Sequence, residues 1–468
     1  MWRLFNRYWS IPATVSVLIE TGLLFLSVLL AFRLRFADPI GQIIEDQTFW
    51  IRGAVVTAVV IICFYLNGLY DFGEHLGKRE LGIRILRSCT FSILALWAVY
   101  YIFPFLFMGR GVLALAFIFS GVLLTSWRFF IVWVLGRHLF DFFNERILIV
   151  GADDAGKGIA REIIAREHLG YRVVGFVDDD EALQGQSMVN PRVIGSTNQT
   201  CDLALSLGAT RVVVAQKDHR GKLSMDALLE CKTKGIHVES GADYFERLTG
   251  KIDMDGLRVK SWLVFSKGFV VSSAALLWKR ILDVCLAALG LVTAAPVMAI
   301  VAIAIRLESR GEVLFRQERV GKDGRIFNLI KFRSMHSNAE EVSGPVWATN
   351  SDPRITRLGR WARKWRIDEL PQFWNVLVGD MSLVGPRPER QVFVDELMRL
   401  NPMYRQRFVV RPGLTGWAQI NAPYAATVAE SLEKLRYDLY YIKNLSVFLD
   451  ISILASTIRT VLVGRGAQ

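Results

Sequence analysis

Cysteine and histidine are scarce in this chain of 468 residues, which has only five and six of them. The cysteines are scattered and no two form a Cys-x-x-Cys pair, which argues against a disulfide framework and against a zinc site. Proline is also infrequent, with 13 copies beside 29 Phe and 13 Trp, and this composition excludes a disordered chain. The unpaired cysteines favour a reducing, cytoplasmic setting for the water-exposed parts.

Apolar residues and positive charge are both abundant. Hydrophobic residues make up 52% of the chain and charged residues 21%, the mean hydropathy is +0.32, and the net charge is +12. This combination argues for a membrane protein with sizeable water-exposed regions. The positive charge predicts an anionic partner, which could be nucleic acid, anionic lipid or a nucleotide.

Four apolar stretches fill the first 135 residues, and each is close to the roughly 20 residues that a spanning helix needs. They cover residues 11–32, 54–70, 88–108 and 112–135. We therefore predict a transmembrane α-helical bundle of four helices over residues 1–140, with both ends in the cytoplasm because basic residues flank it there. Glu20 and Arg128 lie within these stretches, either as a functional pair or, as we favour, as polar groups that pack between helices.

A fifth apolar segment, residues 284–305, has no charged residue and contains Pro296. Proline removes a helix hydrogen bond and clashes with the preceding turn, so each arm is shorter than the hydrocarbon core of roughly 30 Å. Basic residues flank both ends of the segment, which favours the cytoplasmic side for both. We expect a re-entrant helix over residues 279–306 with a break at Pro296, and a kinked spanning helix is the alternative.

Residues 145–250 have the pattern of an α/β Rossmann-like domain, beginning with an apolar strand, a turn at Gly151 and a helix. A dinucleotide site would need glycine where Asp153 stands, because a carboxylate there would obstruct and repel the pyrophosphate. A P-loop would need Ser or Thr where Gly158 stands. We therefore predict a structural, oligomerising or sensory domain without a catalytic role.

The C-terminal region is basic and rich in tryptophan. Arginine recurs at every third position, at Arg354, Arg357, Arg360, Arg363 and Arg366. On a helix these residues would form one basic ridge, with Trp361 and Trp365 one turn apart beside it. Such a helix fits the headgroup zone of a membrane, and a solvated or nucleic-acid-binding face is the alternative.

Two adjacent carboxylates, Asp368 and Glu369, follow this predicted helix and precede Pro371. Acidic residues at a helix N-terminus often only satisfy free N–H groups. Alternatively, one carboxylate could attack phosphorus while its neighbour holds Mg²⁺. The pair by itself leaves both interpretations open.

Several compact motifs add cations around this pair. Arg387 stands between two prolines, which would present its guanidinium with little freedom as a phosphate clamp. Lys331 and Arg333 would lie on one face of a predicted strand, and Arg411 precedes a Pro-Gly turn. Together the motifs predict a site for a di-anionic substrate beside a bilayer.

The ordered motifs resemble those of the large monotopic phosphoglycosyl transferases, the polyprenyl-phosphate hexose-1-phosphate transferases of bacterial exopolysaccharide and capsule assembly. The resemblance extends over the whole chain. Its specific signs are residues 279–283 (KRILD), 315–321 (FRQERVG), 331–335 (KFRSM), 368–372 (DELPQ), 384–388 (VGPRP) and 411–421 (RPGLTGWAQIN). It implies an α/β-type monotopic catalytic domain over residues 275–468, joined to the Rossmann-like domain by a linker over residues 251–274.

The resemblance also implies a reaction. Asp368 would attack the sugar-linked phosphate of a UDP-sugar and release UMP, and undecaprenyl phosphate would then take the sugar phosphate from Asp368. Asp368 and Glu369 would be the catalytic and metal-binding pair, with Mg²⁺ as cofactor. Lys331 and Arg387 would bind phosphate, supported by Arg333, Arg363 and Arg411, and Pro296 would break the membrane helix.

We therefore expect a multi-pass protein of the bacterial inner membrane that starts a lipid-linked saccharide, with its catalytic and Rossmann-like domains in the cytoplasm. Its partners would be a UDP-sugar, undecaprenyl phosphate and membrane lipid, and not nucleic acid. The sugar and the oligomeric state stay open, with a homodimer as one alternative. Rival functions are a membrane-anchored nucleotide-sugar epimerase or dehydratase and a non-catalytic scaffold of polysaccharide assembly.

Overall fold

The computed structural model describes most of the chain. The described residues are 2–4, 7–9, 11–36, 47–67, 69–70, 78–135, 145–166, 170–187, 189–215, 224–254, 269, 273–336, 354–422 and 427–463. Contacts divide the chain into two compact units, one up to Glu239 and one from Ser240 onward, apart from three residues near the N-terminus.

The N-terminal unit begins with a short two-stranded ribbon and four long helices. These are β1 (Trp2–Leu4), β2 (Arg7–Trp9), α1 (Ile11–Phe36), α2 (Gln47–Leu66), α3 (Lys78–Ile102) and α4 (Arg110–Leu135). All four helices are long and apolar enough to cross a membrane, which confirms the predicted apolar helices. Helix α1 packs against α2 and α4, and α2 packs against α3.

A buried ion pair joins two of these helices. Arg128 Nη2 on α4 donates to Glu20 Oε2 on α1 at 2.9 Å, and Arg128 Nη1 donates to the carbonyl of Leu69 at 2.7 Å. Glu20 is 0% exposed and Arg128 is 6% exposed. The contact ties α1 to α4, as expected if these charges serve helix packing.

A five-stranded sheet follows in the same unit. Its elements are β3 (Glu145–Val150), α5 (Asp154–Ile164), β4 (Tyr171–Val177), β5 (Val193–Gly195), α6 (Thr200–Ser206), β6 (Arg211–Val214), α7 (Met225–Thr233) and β7 (His237–Ser240). The strand order is β5-β4-β3-β6-β7, and β3 runs parallel to β4 and β6. This order is that of a Rossmann fold, so the predicted Rossmann-like architecture is confirmed. Strand β5 escaped prediction because three residues are too few to show a periodic pattern.

Helix α8 (Gly241–Thr249) belongs to the C-terminal unit, although the sequence pattern placed it in the Rossmann-like domain. The buried Glu246 carboxylate of α8 accepts hydrogen bonds from Lys443 Nζ and Asn444 Nδ2. Trp417 Nε1 donates to the carbonyl of Gly250 at 2.7 Å. These polar contacts hold the segment against the C-terminal unit. Most of the predicted linker, residues 251–274, lies outside the described residues.

The C-terminal unit continues with one long helix and a set of shorter elements. These are α9 (Ser273–Glu308), β8 (Leu314–Val320), β9 (Ile326–Phe332), α10 (Arg357–Lys364), α11 (Gln372–Val378), β10 (Ser382–Val384), α12 (Gln391–Leu400), β11 (Gly413–Thr415), α13 (Trp417–Asn421), α14 (Val428–Lys443) and α15 (Val447–Val463). Strands β8 and β9 form an antiparallel hairpin, and β10 pairs with β11 in parallel. Val376, Leu383, Leu435 and Ile453 join α11, β10, α14 and α15 in one buried core.

Helix α9 has 36 residues and contains Pro296 without ending there. Its sequence is long and apolar enough to enter a membrane, and its outer face exposes large apolar side chains such as Val292 and Ile300. Both ends of α9 contact other elements of the C-terminal unit. Lys279 Nζ donates to the carbonyl of Val384 at 2.9 Å, and Ile305 packs beside Phe332.

Candidate active site

A tight turn presents the two adjacent carboxylates. Asp368 and Glu369 lie on a short 3₁₀ turn, Ile367–Glu369, between α10 and α11. Arg366 enters the turn with φ of +53°, a left-handed conformation that is unusual for a residue with a side chain. Pro371 is the N-cap residue of α11, and its fixed φ suits the start of a helix. Asp368 is 8% exposed, so its carboxylate is held in a largely buried position.

The basic ridge that the arginine spacing predicted is shorter in the structure. Helix α10 ends at Lys364, so only Arg357, Arg360 and Arg363 lie on it. The reversal at Arg366 takes its guanidinium back to Glu369, with Nη1 3.4 Å from Oε2. The prediction that Arg366 continues the ridge was therefore wrong, because the chain leaves the helix before reaching it.

Arg387 and Arg366 both neutralise Glu369. Arg387 Nη2 donates to Glu369 Oε1 at 2.7 Å, and Arg366 Nη1 lies 3.5 and 3.4 Å from the two carboxylate oxygens. Burial by itself would raise the pKa of Glu369, but these two guanidinium groups outweigh it and lower the pKa to about 2. Glu369 is therefore ionised at any physiological pH.

Asp368 behaves in the opposite way. Burial raises the pKa of Asp368 to about 6, and the negative charge of Glu369 adds to the effect, while Lys331, Arg363 and Arg387 oppose it. No main-chain N–H of the described residues donates to the Asp368 carboxylate. The interpretation of this pair as helix-capping acids therefore does not fit Asp368.

The β8–β9 hairpin places a lysine against this turn. Lys331 on β9 is directly opposite Phe315 on β8, and its Nζ lies 5.2 Å from the centroid of that ring. Burial lowers the pKa of Lys331 to about 8, and the positive charge of Arg319 lowers it further, while Asp368 opposes the shift. Phosphate bound beside Lys331 would favour its protonated form.

Arg363 supplies an unused hydrogen-bond donor. Its Nη1 atom is buried and has no hydrogen-bond partner among the residues that the structure describes. The positive charge of Arg363 acts on both Asp368 and Lys331. Because buried donors in native proteins are nearly always paired, this atom is suited to an anionic ligand.

Two predicted phosphate-binding residues are engaged elsewhere. Arg333 donates to the main-chain carbonyls of Ser309 and Arg310, at 2.9 and 3.0 Å, and so fastens the end of α9. Arg411 Nε donates to the carbonyl of Gly379 at 2.9 Å. Both guanidinium groups hold loops in place, and neither is among the main charges that act on Asp368. Pro296 lies within α9.

Sequence reasoning missed Arg319 and Arg366. Arg319 shares a strand face with Phe315 and therefore with the opposite residue, Lys331, as the pairing register shows. The period-two pattern in residues 315–321 could have revealed this. No pattern in the sequence could have revealed the reversal at Arg366.

A buried network supports the loop that carries Arg387. Arg407 Nη2 donates to the carbonyl of Arg387 at 2.9 Å, and Arg407 Nε donates to Asp438 Oδ2 at 2.8 Å. Arg407 also hydrogen-bonds to the Tyr404 hydroxyl. The charges of Arg407 and Asp438 offset each other, so both can be buried behind the loop.

The protein side chains alone offer little to a metal ion. Among the described residues, no group of three His, Cys, Asp or Glu side chains could hold one. Mg²⁺, however, is usually bound by only one or two carboxylates together with substrate phosphates. The ionised Glu369 beside Asp368 fits that pattern.

The first turn of the Rossmann-like domain is occupied by its own carboxylates. Asp153 Oδ1 accepts hydrogen bonds from the N–H groups of Ala155 and Gly156, at 3.0 and 3.1 Å. Asp178 Oδ2 accepts one from the N–H of Ala152 at 2.7 Å. These are the donors that a dinucleotide pyrophosphate would use, so the loop does not favour a nucleotide-dependent epimerase.

Two family models match separate parts of the chain. Residues 274–464 match the bacterial sugar transferase model, and residues 65–222 match a CoA-binding domain model. The first range contains every predicted site residue.

Relatives extend this similarity. A UDP-N-acetylgalactosamine-undecaprenyl-phosphate N-acetylgalactosaminephosphotransferase of Aeromonas hydrophila is 44% identical over 242 residues, which are 52% of this chain and 56% of that protein. A UDP-glucose:undecaprenyl-phosphate glucose-1-phosphate transferase of Xanthomonas campestris pv. campestris is 28% identical and covers 97% of this chain and 94% of that protein. A protein of the same name from Caulobacter vibrioides is 43% identical over 39% of this chain and 69% of its own length.

The chain belongs to the bacterial sugar transferase family. It spans little more than half of the Aeromonas relative and 60% of an undecaprenyl-phosphate glucose phosphotransferase of Komagataeibacter xylinus, to which it is 34% identical. Within this sugar transferase, the Asp368 turn, the β8–β9 hairpin and the Arg387 loop all lie in the C-terminal unit.

Proposed function

We propose that this sugar transferase moves a sugar-1-phosphate from a UDP-sugar to undecaprenyl phosphate, releasing UMP, as the first membrane step of exopolysaccharide or capsule assembly. The observation that carries the proposal is the contrast between two adjacent carboxylates. Glu369 is neutralised by arginines, whereas Asp368 is buried, has a raised pKa and faces Lys331 and Arg363. A carboxylate in that position is suited to attack a phosphate that the cations hold.

In the first step, a carboxylate oxygen of Asp368 attacks the sugar-linked phosphorus of the UDP-sugar. A new bond forms between this oxygen and phosphorus, while the bond to the bridging oxygen breaks and UMP leaves with its electron pair. Lys331, Arg363 and Arg387 would offset the negative charge on the phosphates as that bond breaks. With a pKa of about 6, Asp368 is mostly ionised at neutral pH and therefore able to attack.

In the second step, the phosphate oxygen of undecaprenyl phosphate attacks the same phosphorus and displaces the Asp368 carboxylate. The product is the sugar attached to the lipid through a diphosphate, and the enzyme returns to its starting form. UMP leaves and undecaprenyl phosphate attacks through a phosphate oxygen at the same phosphorus, so the same cations would serve both steps.

Glu369 and Asp368, together with diphosphate oxygens of the substrate, would hold Mg²⁺, whose charge would offset that of the diphosphate. Arg387 keeps Glu369 oriented through the hydrogen bond of 2.7 Å. We expect Glu369→Gln to raise the Mg²⁺ concentration needed for half-maximal activity. An unchanged requirement would exclude Glu369 as a metal ligand.

The site would lie at the membrane surface. Helix α9 touches the C-terminal unit with Lys279 near one end and Ile305 near the other, which supports both ends on one side of the bilayer. Trp361, Trp365 and Trp374 are exposed on the same unit, and such side chains favour the headgroup region. We propose that α9 is re-entrant and that the C-terminal unit and the Rossmann-like domain lie on the cytoplasmic face of the inner membrane.

Labelling tests this topology. Cysteines at Ser273 and Arg310, both exposed and close to the two ends of α9, are placed in a chain whose exposed Cys285 has been replaced by alanine. A membrane-impermeant maleimide should label both from the cytoplasm only. Labelling from opposite sides would identify α9 as a spanning helix. Lys279 is unsuitable for this purpose because it is 7% exposed.

The assay of function uses the purified full chain with a panel of radiolabelled UDP-sugars, undecaprenyl phosphate and Mg²⁺. We expect UMP and a lipid-linked sugar from at least one UDP-sugar, and the panel identifies the sugar. Release of UMP from none of them would contradict the proposed function and favour a scaffold.

A trapping experiment tests the covalent step. With the β-phosphate labelled and the lipid omitted, the protein should acquire a label that hydroxylamine removes, as expected for an acyl phosphate. Asp368→Asn should abolish the label, whereas the matched change at an exposed aspartate of the same unit, Asp380→Asn, should retain it. Equal labelling of both variants would exclude Asp368 as the nucleophile.

A further inference from the structure

The segment between the two halves of the candidate site is held by the beginning of α9. This segment runs from Val376, near the end of α11, to Val384 at the end of β10. Arg280 donates to the carbonyls of Val376 and Leu377 at 2.7 and 2.8 Å. At the other end of the segment, Asp283 Oδ1 accepts a hydrogen bond of 2.9 Å from the N–H of Leu383.

Lys279 completes this set of contacts. Its Nζ donates to the carbonyl of Val384 at 2.9 Å and to Asp450 Oδ2 on α15 at 2.7 Å. The Tyr441 hydroxyl lies between the same two groups, 3.1 Å from the Val384 carbonyl and 2.7 Å from Asp450 Oδ1. Lys279, Asp283 and Asp450 are all buried. The sequence analysis interpreted Lys279 and Arg280 as charges that flank a membrane segment and as part of the motif at residues 279–283. The structure shows that both also bind main-chain carbonyls.

The strand end that Lys279 holds leads directly into the Arg387 loop. Only Gly385 and Pro386 separate Val384 from Arg387, and proline fixes its own φ. Gly385 is also packed so tightly that a side chain there would meet the Arg411 carbonyl at 2.4 Å. A displacement of Val384 would therefore be transmitted to Arg387, because the two residues between them cannot easily change conformation. Arg387 Nη2 lies 2.7 Å from Glu369 Oε1.

We propose that Lys279, Arg280 and Asp283 are positioning residues, through which the first three turns of the membrane helix α9 set the place of Arg387 relative to Asp368 and Glu369. This inference rests on the proposed function. It follows that the active site is assembled only when α9 is in its proper position in the membrane. None of the three residues needs to contact the substrate.

The test compares two buried lysines of the same unit. Lys279→Met removes the contact with Val384. Lys443→Met removes a lysine that is similarly buried and similarly paired with a buried carboxylate, Glu246 of α8, which is not part of the site described above. Both changes remove the lysine that balances the charge of a buried carboxylate and should lower the melting temperature. Only Lys279→Met should lower kcat/KM for the UDP-sugar, by about 100-fold per molecule of folded enzyme, since a displacement of about 1 Å costs that much.

The separate values of kcat and KM distinguish positioning from a general loss of structure. Arg387 would offset the charge that develops as the bond to UMP breaks, so Lys279→Met should lower kcat with little change in KM for the UDP-sugar. Lys443→Met should keep the kcat and KM of the unaltered enzyme. Equal kcat and equal KM in the two variants would overturn the inference.

Asp283 provides a second pair of variants if Lys279→Met does not accumulate in membranes. Asp283→Asn retains an oxygen that accepts the Leu383 N–H and should stay within about threefold of the unaltered kcat/KM, whereas Asp283→Leu removes the acceptor and should lose at least about tenfold. Equal activity of these two variants would also overturn the inference. Failure of the unaltered enzyme to use any UDP-sugar would instead contradict the proposed function, so the two failures are distinguishable.

Discussion

Two turns in this molecule carry adjacent acidic residues before a helix, and they differ in what surrounds the carboxylates. In the Rossmann-like domain, Asp153 accepts hydrogen bonds from two main-chain N–H groups at the start of α5. In the C-terminal unit, Asp368 is buried beside Glu369, Lys331 and Arg363 and has a raised pKa. The comparison teaches that an acidic pair beside a helix caps it when the backbone N–H groups bind the carboxylate, and is suited to the proposed attack on phosphorus when cations and burial surround it.

The largest expected effect is on turnover. Asp368→Asn should lower kcat/KM for UMP release by about 10⁴-fold, because the amide cannot form the proposed bond to phosphorus. Asp153→Asn should leave kcat/KM unchanged. Release rates from a UDP-sugar assay measure both variants, and a large loss in Asp153→Asn would remove the distinction between the two turns.

The next effect is on stability. Replacing Asp368 should stabilise the folded chain, whereas the loss of a contact usually destabilises it. The pKa of Asp368 is raised from its usual value near 4 to about 6, so between these values the folded chain binds more protons than the unfolded chain. Stability therefore falls as pH rises through this window, and the ionised group costs up to about 3 kcal/mol at pH 7.

Asp368→Asn should remove that cost and raise the melting temperature at pH 7 but not at pH 3. Thermal unfolding of the detergent-solubilised protein at the two pH values measures the difference. A lower melting temperature at pH 7 would show that Asp368 stabilises the fold, as Asp153 does.

The pH dependence of kcat/KM gives a third test. Asp368 must be ionised, so activity should fall about tenfold per pH unit below about 6. Lys331 must be protonated to bind phosphate, so activity should also fall above about pH 8. Lys331→Arg should abolish the alkaline limb because a guanidinium stays protonated. A profile that is flat from pH 5 to pH 9 would contradict both assignments.

The smallest effect concerns the Rossmann-like turn alone. Asp153→Ala removes the side chain that caps α5 and should cost about 1 kcal/mol of stability in the N-terminal unit, with no change in UMP release. Denaturant unfolding measures the cost. Bound dinucleotide in the purified Asp153→Gly variant, but not in the unaltered protein, would show that this carboxylate alone closes the loop to a cofactor.

The architecture could largely be predicted, since it follows from local patterns. Long apolar runs mark α1 to α4, and the alternation of apolar strands with helices marks the Rossmann-like sheet. The sequence pattern placed the end of the Rossmann-like domain at residue 250, whereas the structure divides the two units between Glu239 and Ser240. The pattern could not show this, because Glu246 and Lys443 lie almost 200 residues apart and meet only in the folded unit.

The candidate site was predicted in part. Compact motifs identified Asp368, Glu369, Lys331, Arg363 and Arg387, which the fold brings together. The same motifs could not tell that Arg333 fastens the end of α9 or that Arg411 holds the Gly379 carbonyl. An arginine is equally suited to a phosphate and to a main-chain carbonyl, and only the fold selects its partner.

The sequence by itself determined which segments are apolar, where the sheet lies and which motifs carry charge, because these depend on the order and spacing of neighbouring residues. The tertiary structure alone decided which carboxylate of the pair is neutralised and which is held with a raised pKa. Burial and the distances between charges from separate elements set those values, and neither exists until Arg387, Lys331 and the Asp368 turn are packed together.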